Sequence, residues 1–218
     1  KGLNILLATP LFSFWGDAGH FWLKAFNSLG HYVRIWDYRL EPDTPVGQWD
    51  FTLIMKGESV DPETLPHPRV CYWPDALDRT PGIETLLAKY DKVFTPVRPT
   101  PAGMEWLPSG FDPDIHHYNG AKKDIPALYI GTYNSQRKVD FLKKIRPTYI
   151  AGNRWIELDR YLFTLLPPHY LHDFVALASR AQVLINIHQG LVGINRKLFE
   201  CCACGLTISD RVPGVVEI

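Results

Sequence analysis

The chain has 218 residues, 46% hydrophobic and 21% charged, with a formal net charge of zero. These are ordinary globular values, enough for a sizeable core in one large domain or two small ones. They argue against wholesale binding of nucleic acid by charge, which needs many phosphates neutralised together, whereas the basic residues form only one modest cluster, from Arg137 to Arg146.

In chain order, the pattern predicts a buried strand at Leu3–Ala8, a loop over Thr9–Gly16, and a helix capped by Asp17 that runs to about Leu29 and stops at Gly30. Further strands are expected at Tyr32–Asp37, Phe51–Met55, Arg69–Trp73, Lys92–Thr95 and Glu105–Leu107, with a helix opened by Pro81 running to about Lys89. The stretch His116–Asp124 is polar, contains glycine and has no apolar period, so it reads as a linker. This divides the chain into a first domain over 1–118, a linker over 119–125 and a second domain over 126–218. In the second part, strands are expected at Ala127–Ile130, Thr148–Ala151, Val183–Ile187 and Leu206–Ser209, and helices at Ser135–Ile145, His169–Ala181 and Arg196–Cys204. Strands alternating with helices predict an α/β fold of two parallel sheets, with a ligand-binding cleft between the halves.

No apolar segment approaches the length of a membrane span, and Lys1-Gly2-Leu3-Asn4-Ile5 reads as a first strand rather than a signal peptide. A reducing cytoplasm is the expected location. The four cysteines, Cys71, Cys201, Cys202 and Cys204, do not form a disulfide framework or a paired zinc motif, and are expected to pack in the core.

The segment Asn195–Gly205 is the strongest functional signal. It sets Arg196 and Lys197 at a helix start, directly after a buried strand, with Glu200 one turn further in on the face of Arg196. A helix start offers free amides and positive dipole to phosphate. A carboxylate one turn away suits ribose hydroxyls.

The segments Leu128–Arg137, Val183–His188 and Asn195–Gly205 together resemble glycosyltransferases of the two-Rossmann-domain (GT-B) architecture, most specifically the CgeB-like spore maturation group. Weaker pieces, Cys71–Asp75, Tyr90–Thr95 and Trp106–Asp112, are similar to that family's first half, and the ordered set covers most of the chain. The resemblance implies transfer of a sugar from a nucleoside diphosphate sugar to an acceptor that could be a glycan, a protein or a small molecule. It implies that the donor is held mainly by the second domain and that no metal or other cofactor is needed. It places Glu200 on the donor ribose and Arg137, Lys138 and Arg196 on the diphosphate, the residues expected to stabilise the leaving group. Gly131, Gly152, His188 and Asn195 complete the expected donor site.

Each assignment has a plainer counterpart. Arg137 and Lys138 could belong to a solvated helix face with Lys143 and Lys144, Arg196 could cap or pair at the surface, Glu200 could meet a structural cation, and the glycines could simply turn the chain. An inverting reaction needs a base, for which Asp17 and His20 are the candidates and Asp75 a third, although each acid also suits a helix cap. Phe12, Phe14 and Trp15 could stack on a sugar or lipid. A retaining reaction needs no such base, and the sequence leaves the stereochemistry open.

Two features depart from the family pattern. Val192 stands eight positions before Glu200, where many retaining relatives carry a second acid. The chain also stops at Val215–Ile218, where such enzymes continue into helices that pack back on the first domain; a fragment or an unusually short member is expected. The alternatives are a non-catalytic sugar-nucleotide or glycan-binding protein of the same fold, and a dinucleotide-dependent oxidoreductase or epimerase. The second is disfavoured because no Gly-x-Gly-x-x-Gly follows the first strand.

Overall fold

The computed structural model describes residues 2–10, 18–75, 77, 80–155, 163–188 and 194–212. The chain forms two compact units, Lys1–Pro108 and Ser109–Ile218.

In the first unit, β1 (Asn4–Thr9), β2 (Tyr32–Asp37), β3 (Phe51–Met55), β4 (Arg69–Tyr72), β5 (Lys92–Thr95) and β6 (Glu105–Trp106) form one parallel sheet, ordered β2-β1-β3-β4-β5-β6. Successive strand side chains point to opposite faces, so a strand covered on both sides needs an unbroken apolar run. Ile5-Leu6-Leu7-Ala8 supplies it. Leu6 and Ala8 pack with Trp36, Ile54, Cys71 and Trp73 on one face; Leu7 packs on the other with Leu53 and Tyr72, under Trp22, Leu23 and Phe26 of α1 (Ala18–Ser28). Each such leucine contributes about 1.5–3 kcal/mol by leaving water. The helix expected over Pro81–Lys89 is reduced to α2 (Ile83–Leu87), which starts after Gly82 with its left-handed φ of 78°.

In the second unit, β7 (Ile125–Ile130), β8 (Tyr149–Ala151), β9 (Thr164–Leu166), β10 (Ala181–Asn186) and β11 (Thr207–Ser209) form a second parallel sheet, ordered β11-β10-β7-β8-β9. From β7 the chain steps outward through β8 and β9, then returns to lay β10 and β11 on the other side. The direction of winding therefore reverses between β7 and β10. Connections that diverge at such a point leave a crevice at the carboxyl ends of the strands, where folds of this kind bind ligands.

Val139 and Leu142 of α3 (Gln136–Ile145) cover one face with Tyr129, Ile150 and Ile185. Phe174, Val175 and Ala178 of α4 (Leu171–Ser179), with Cys201 and Cys204 of α5 (Arg196–Cys204), cover the other against Leu128, Ile130 and Leu184. Both faces thus bear helices, as a two-sided parallel sheet requires. The cysteines are free; Cys71, Cys201 and Cys204 are buried as expected, while Cys202 is exposed.

Three local differences from the sequence reading have physical reasons. β9 was not foreseen, being a three-residue edge strand without a fully buried position. The helix expected to reach Ala181 ends at Ser179, because Ala181 is already paired with Ile125 in the β10–β7 ladder. The polar stretch at His116 belongs to the second unit, where His116 is buried against Phe174, their ring centroids 6.0 Å apart. Among the described residues, no helix is long and apolar enough to cross a membrane.

Candidate functional site

The carboxyl edge of the second sheet collects most of the residues singled out in the sequence. Gly131 follows β7 and Gly152 follows β8. A Cβ on Gly152, whose φ is 144°, would lie 2.0 Å from the Gly131 carbonyl oxygen, and one on Gly131 would lie 2.6 Å from the Tyr129 hydroxyl. The space freed by each glycine is filled by neighbouring protein, so both residues let the strand ends pack closely. Trp155 Nε1 donates to the Gly131 carbonyl at 2.6 Å and fixes that turn.

Helix α3 begins after Ser135 with Arg137 and Lys138 in its first turn and no acidic residue there. Cations at this end oppose the helix dipole by a few tenths to about 1 kcal/mol, a cost offset only by a nearby anion. For Arg137 that anion is Asp210, directly after β11. Its guanidinium pairs with the Asp210 carboxylate and also donates to the His188 carbonyl at 2.9 Å. Lys138 turns inward and is buried, its Nζ 3.5 Å from the Thr132 carbonyl, whereas Lys143 and Lys144 on the same helix are exposed. The plain reading of a uniformly solvated basic face does not describe this helix.

His188 lies just past β10, at the point where the winding reverses. Its backbone amide donates to Asp210 Oδ1 at 2.9 Å and its ring Nδ1 lies 2.7 Å from the same oxygen. Both side chains are almost wholly buried. Burial pushes the Asp210 carboxyl up, but hydrogen bonds from the His188 ring, the His188 amide and Arg137 outweigh it and hold the group below the usual carboxylate range. Asp210 was not identified in the sequence; an acid immediately after an apolar strand, at the edge where ligands bind, was the available signal.

Helix α5 starts as predicted. Asn195 caps it, its side-chain oxygen accepting from the Leu198 amide at 2.9 Å while its amide group reaches the Ile187 carbonyl at 3.4 Å. The cap therefore ties the helix start to the end of β10. Arg196 Nε lies 2.8 Å from Glu200 Oε1, and Lys197 Nζ lies 3.9 Å from Oε2 and 4.8 Å from the centre of the Phe174 ring. Glu200 is 4% exposed, and Arg196 offsets the cost of burying its carboxylate by pairing with it.

A third neighbour, His116, was missed because its stretch read as linker. Its Nε2 is 3.7 Å from Glu200 Oε1, and its Nδ1 is 3.2 Å from the Asp112 carbonyl. Burial holds its pKa below the ordinary histidine value, although Glu200 pulls the other way.

In the first unit, His20 is half-buried in the first turn of α1. Asp75, past the end of β4, pairs at 2.9 Å with Lys56, which follows β3 with a left-handed φ of 71°. A non-glycine residue held there at a strand end carries backbone strain, and neither Lys56 nor its pairing was foreseen. Asp17, Phe12, Phe14, Trp15 and Val192 lie outside the described residues.

No family model matches the chain, and no curated protein matches it. Solved structures do. AviGT4, a glycosyltransferase involved in avilamycin A biosynthesis, is similar at a TM-score of 0.71 and 13% identity over 99% of this chain and 81% of its own. Anabaena Alr3699/HepE, in complex with UDP and glucose, gives 0.63 and 9% over 99% and 82%. The DNA modifying enzyme beta-glucosyltransferase gives 0.62 and 14% over 95% and 79%. At these identities the likeness establishes the fold: an α/β chain of two Rossmann-like units of the kind found in GT-B glycosyltransferases.

Proposed function

We propose that this chain is a glycosyltransferase that moves a sugar from a nucleoside diphosphate sugar to an acceptor, with the donor held by the second unit. The observation that carries the reading is the reversal point between β7 and β10, whose carboxyl edge gathers Arg137, His188 and the basic start of α5. It is supported by the glycosyltransferase fold, including a neighbour in complex with UDP and glucose.

In this reading the diphosphate lies against the starts of α3 and α5, with Arg137, Lys138 and Arg196 supplying positive charge and no metal. Charge fixed in place before the anomeric bond breaks needs no reorganisation as the leaving group forms, which is the main source of rate in such chemistry. Gly131 and Gly152 shape the floor of the site, Asn195 holds α5 in place, and Glu200 takes the ribose hydroxyls by exchanging part of its contact with Arg196. If the reaction inverts, the base comes from the first unit, with Asp17 and His20 as candidates. The CgeB-like group, a cytoplasmic setting and an acceptor other than nucleic acid are parts of the same proposal; the zero net charge and the single modest basic cluster, which argue against wholesale binding by charge, support the last.

The test is a thermal-shift screen with uridine and guanosine diphosphates beside nicotinamide dinucleotides. A ligand at a hundred times its Kd stabilises the folded state by about 2.7 kcal/mol. Protection by the former and none by the latter is expected; the reverse would replace the donor site with a dinucleotide site.

A further inference from the structure

The ring of His188 is 1% exposed, and its Nε2 is buried without a hydrogen-bond partner among the described residues. Nδ1 lies 2.7 Å from Asp210 Oδ1 and 3.4 Å from the Ser209 hydroxyl. A carboxylate only accepts, so Nδ1 carries a proton and donates it. A neutral ring in that tautomer presents a bare lone pair at Nε2. A second proton converts the same atom into a donor.

The surrounding charges decide which form an anion selects. From α3 comes Arg137, bound to Asp210 and, at 2.9 Å, to the His188 carbonyl; from the end of β11 comes Asp210 itself. Tyr129 of β7, within electrostatic reach of Asp210, and Cys201 of α5 beside it are kept uncharged by burial, the thiol pushed up to about 12 and the phenol raised as well. Arg137 and Asp210 form an ion pair beside the ring, and Lys138 of α3 and Arg196 of α5 bring the other cations. A protonated His188 ring adds one more positive charge to these, together with an N–H donor.

We propose that Asp210 is a positioning residue of the donor site: it holds Arg137 and the His188 ring so that His188 takes up a proton as a nucleoside diphosphate sugar binds and donates it from Nε2 in a hydrogen bond to a phosphate oxygen. The inference rests on the donor-site reading above. One proton passes from water to Nε2 on binding and returns to water on release, and no other bond is made or broken.

The test is a calorimetric titration of the unmodified protein with a panel of nucleoside diphosphate sugars at pH 8, in buffers of different ionisation enthalpy. Their diphosphate diesters are fully ionised at that pH, so any proton taken up belongs to the protein. Proton uptake on binding is expected, with affinity falling as pH rises. In His188→Gln, which keeps a donor but cannot titrate, the uptake disappears; in Asp210→Asn the uptake falls and binding at pH 7 weakens. If Asp210→Asn does not fold, the unmodified protein and His188→Gln decide the matter. Donor binding without proton uptake, or uptake that persists in His188→Gln, overturns the role of this pair and leaves the donor site standing. Failure of every donor to bind overturns both.

Discussion

Asp210 accepts two hydrogen bonds from the one residue His188, from its amide at 2.9 Å and its ring at 2.7 Å, and pairs in addition with Arg137. It thereby joins the ends of β10 and β11 to the start of α3. Asp210→Asn should destabilise the second unit by about 1–3 kcal/mol, because it strips the charge partner from Arg137, whose side chain is one-third exposed, and weakens the bonds from His188. Urea unfolding measures this. A loss below about 1 kcal/mol would show that the cluster does not hold these elements together.

The same carboxylate sets an acid limit. Its folded pKa is depressed, so its contribution is present above the unfolded value of about 3.9 and is lost as pH falls through the folded value. The acid side of the stability curve below about pH 4 should flatten in Asp210→Asn relative to the parent. An identical acid limb in the two proteins would contradict the assignment.

His116 acts in a higher window. Its folded pKa is depressed by burial, so the native state binds fewer protons than the unfolded chain, and stability is full above the unfolded value of about 6.5 and declines as pH falls below it. Unfolding free energies at pH 7 and 5.5 should differ less in His116→Gln than in the parent. An equal difference would place that titration elsewhere.

Glu200 is held by Arg196 at 2.8 Å, so Glu200→Gln should have two effects. Nucleotide affinity should fall, and stability should fall by about 1–3 kcal/mol as the buried pair is broken. Loss of stability with unchanged donor affinity would make Glu200 purely structural.

Gly152→Ala tests the packing of the strand ends. With its φ of 144° and a Cβ placed 2.0 Å from the Gly131 carbonyl oxygen, the substitution should cost at least about 1–3 kcal/mol in strain. A melting temperature equal to the parent's would mean that the turn relaxes freely.

The strands and α5 were legible because their signals are local. Ile5–Ala8 and Val183–Ile187 are apolar runs of strand length, and Asn195 before Arg196 is a cap followed by a helix that occupies its predicted residues. The partnerships were less legible. Glu200 with Arg196 follows from i, i+4 spacing, but His116 reaches Glu200, and Asp210 reaches Arg137 and His188, only after the sheet has placed distant segments side by side. Lys138 was readable as a cation but not as a buried one, since periodicity does not say that its ammonium turns toward the Thr132 carbonyl. The need for glycine at 152 likewise lies in the position of another strand's carbonyl.

The most direct test of the central claim is a nucleoside diphosphate release assay, run with a panel of donor sugars and with cell extracts as the source of acceptor. Release that depends on acceptor, and that falls sharply in Arg137→Ala and Arg196→Ala while both variants remain folded, is the predicted result. Binding of donors without release under any combination would contradict transfer and leave a sugar-nucleotide binding protein of the same fold.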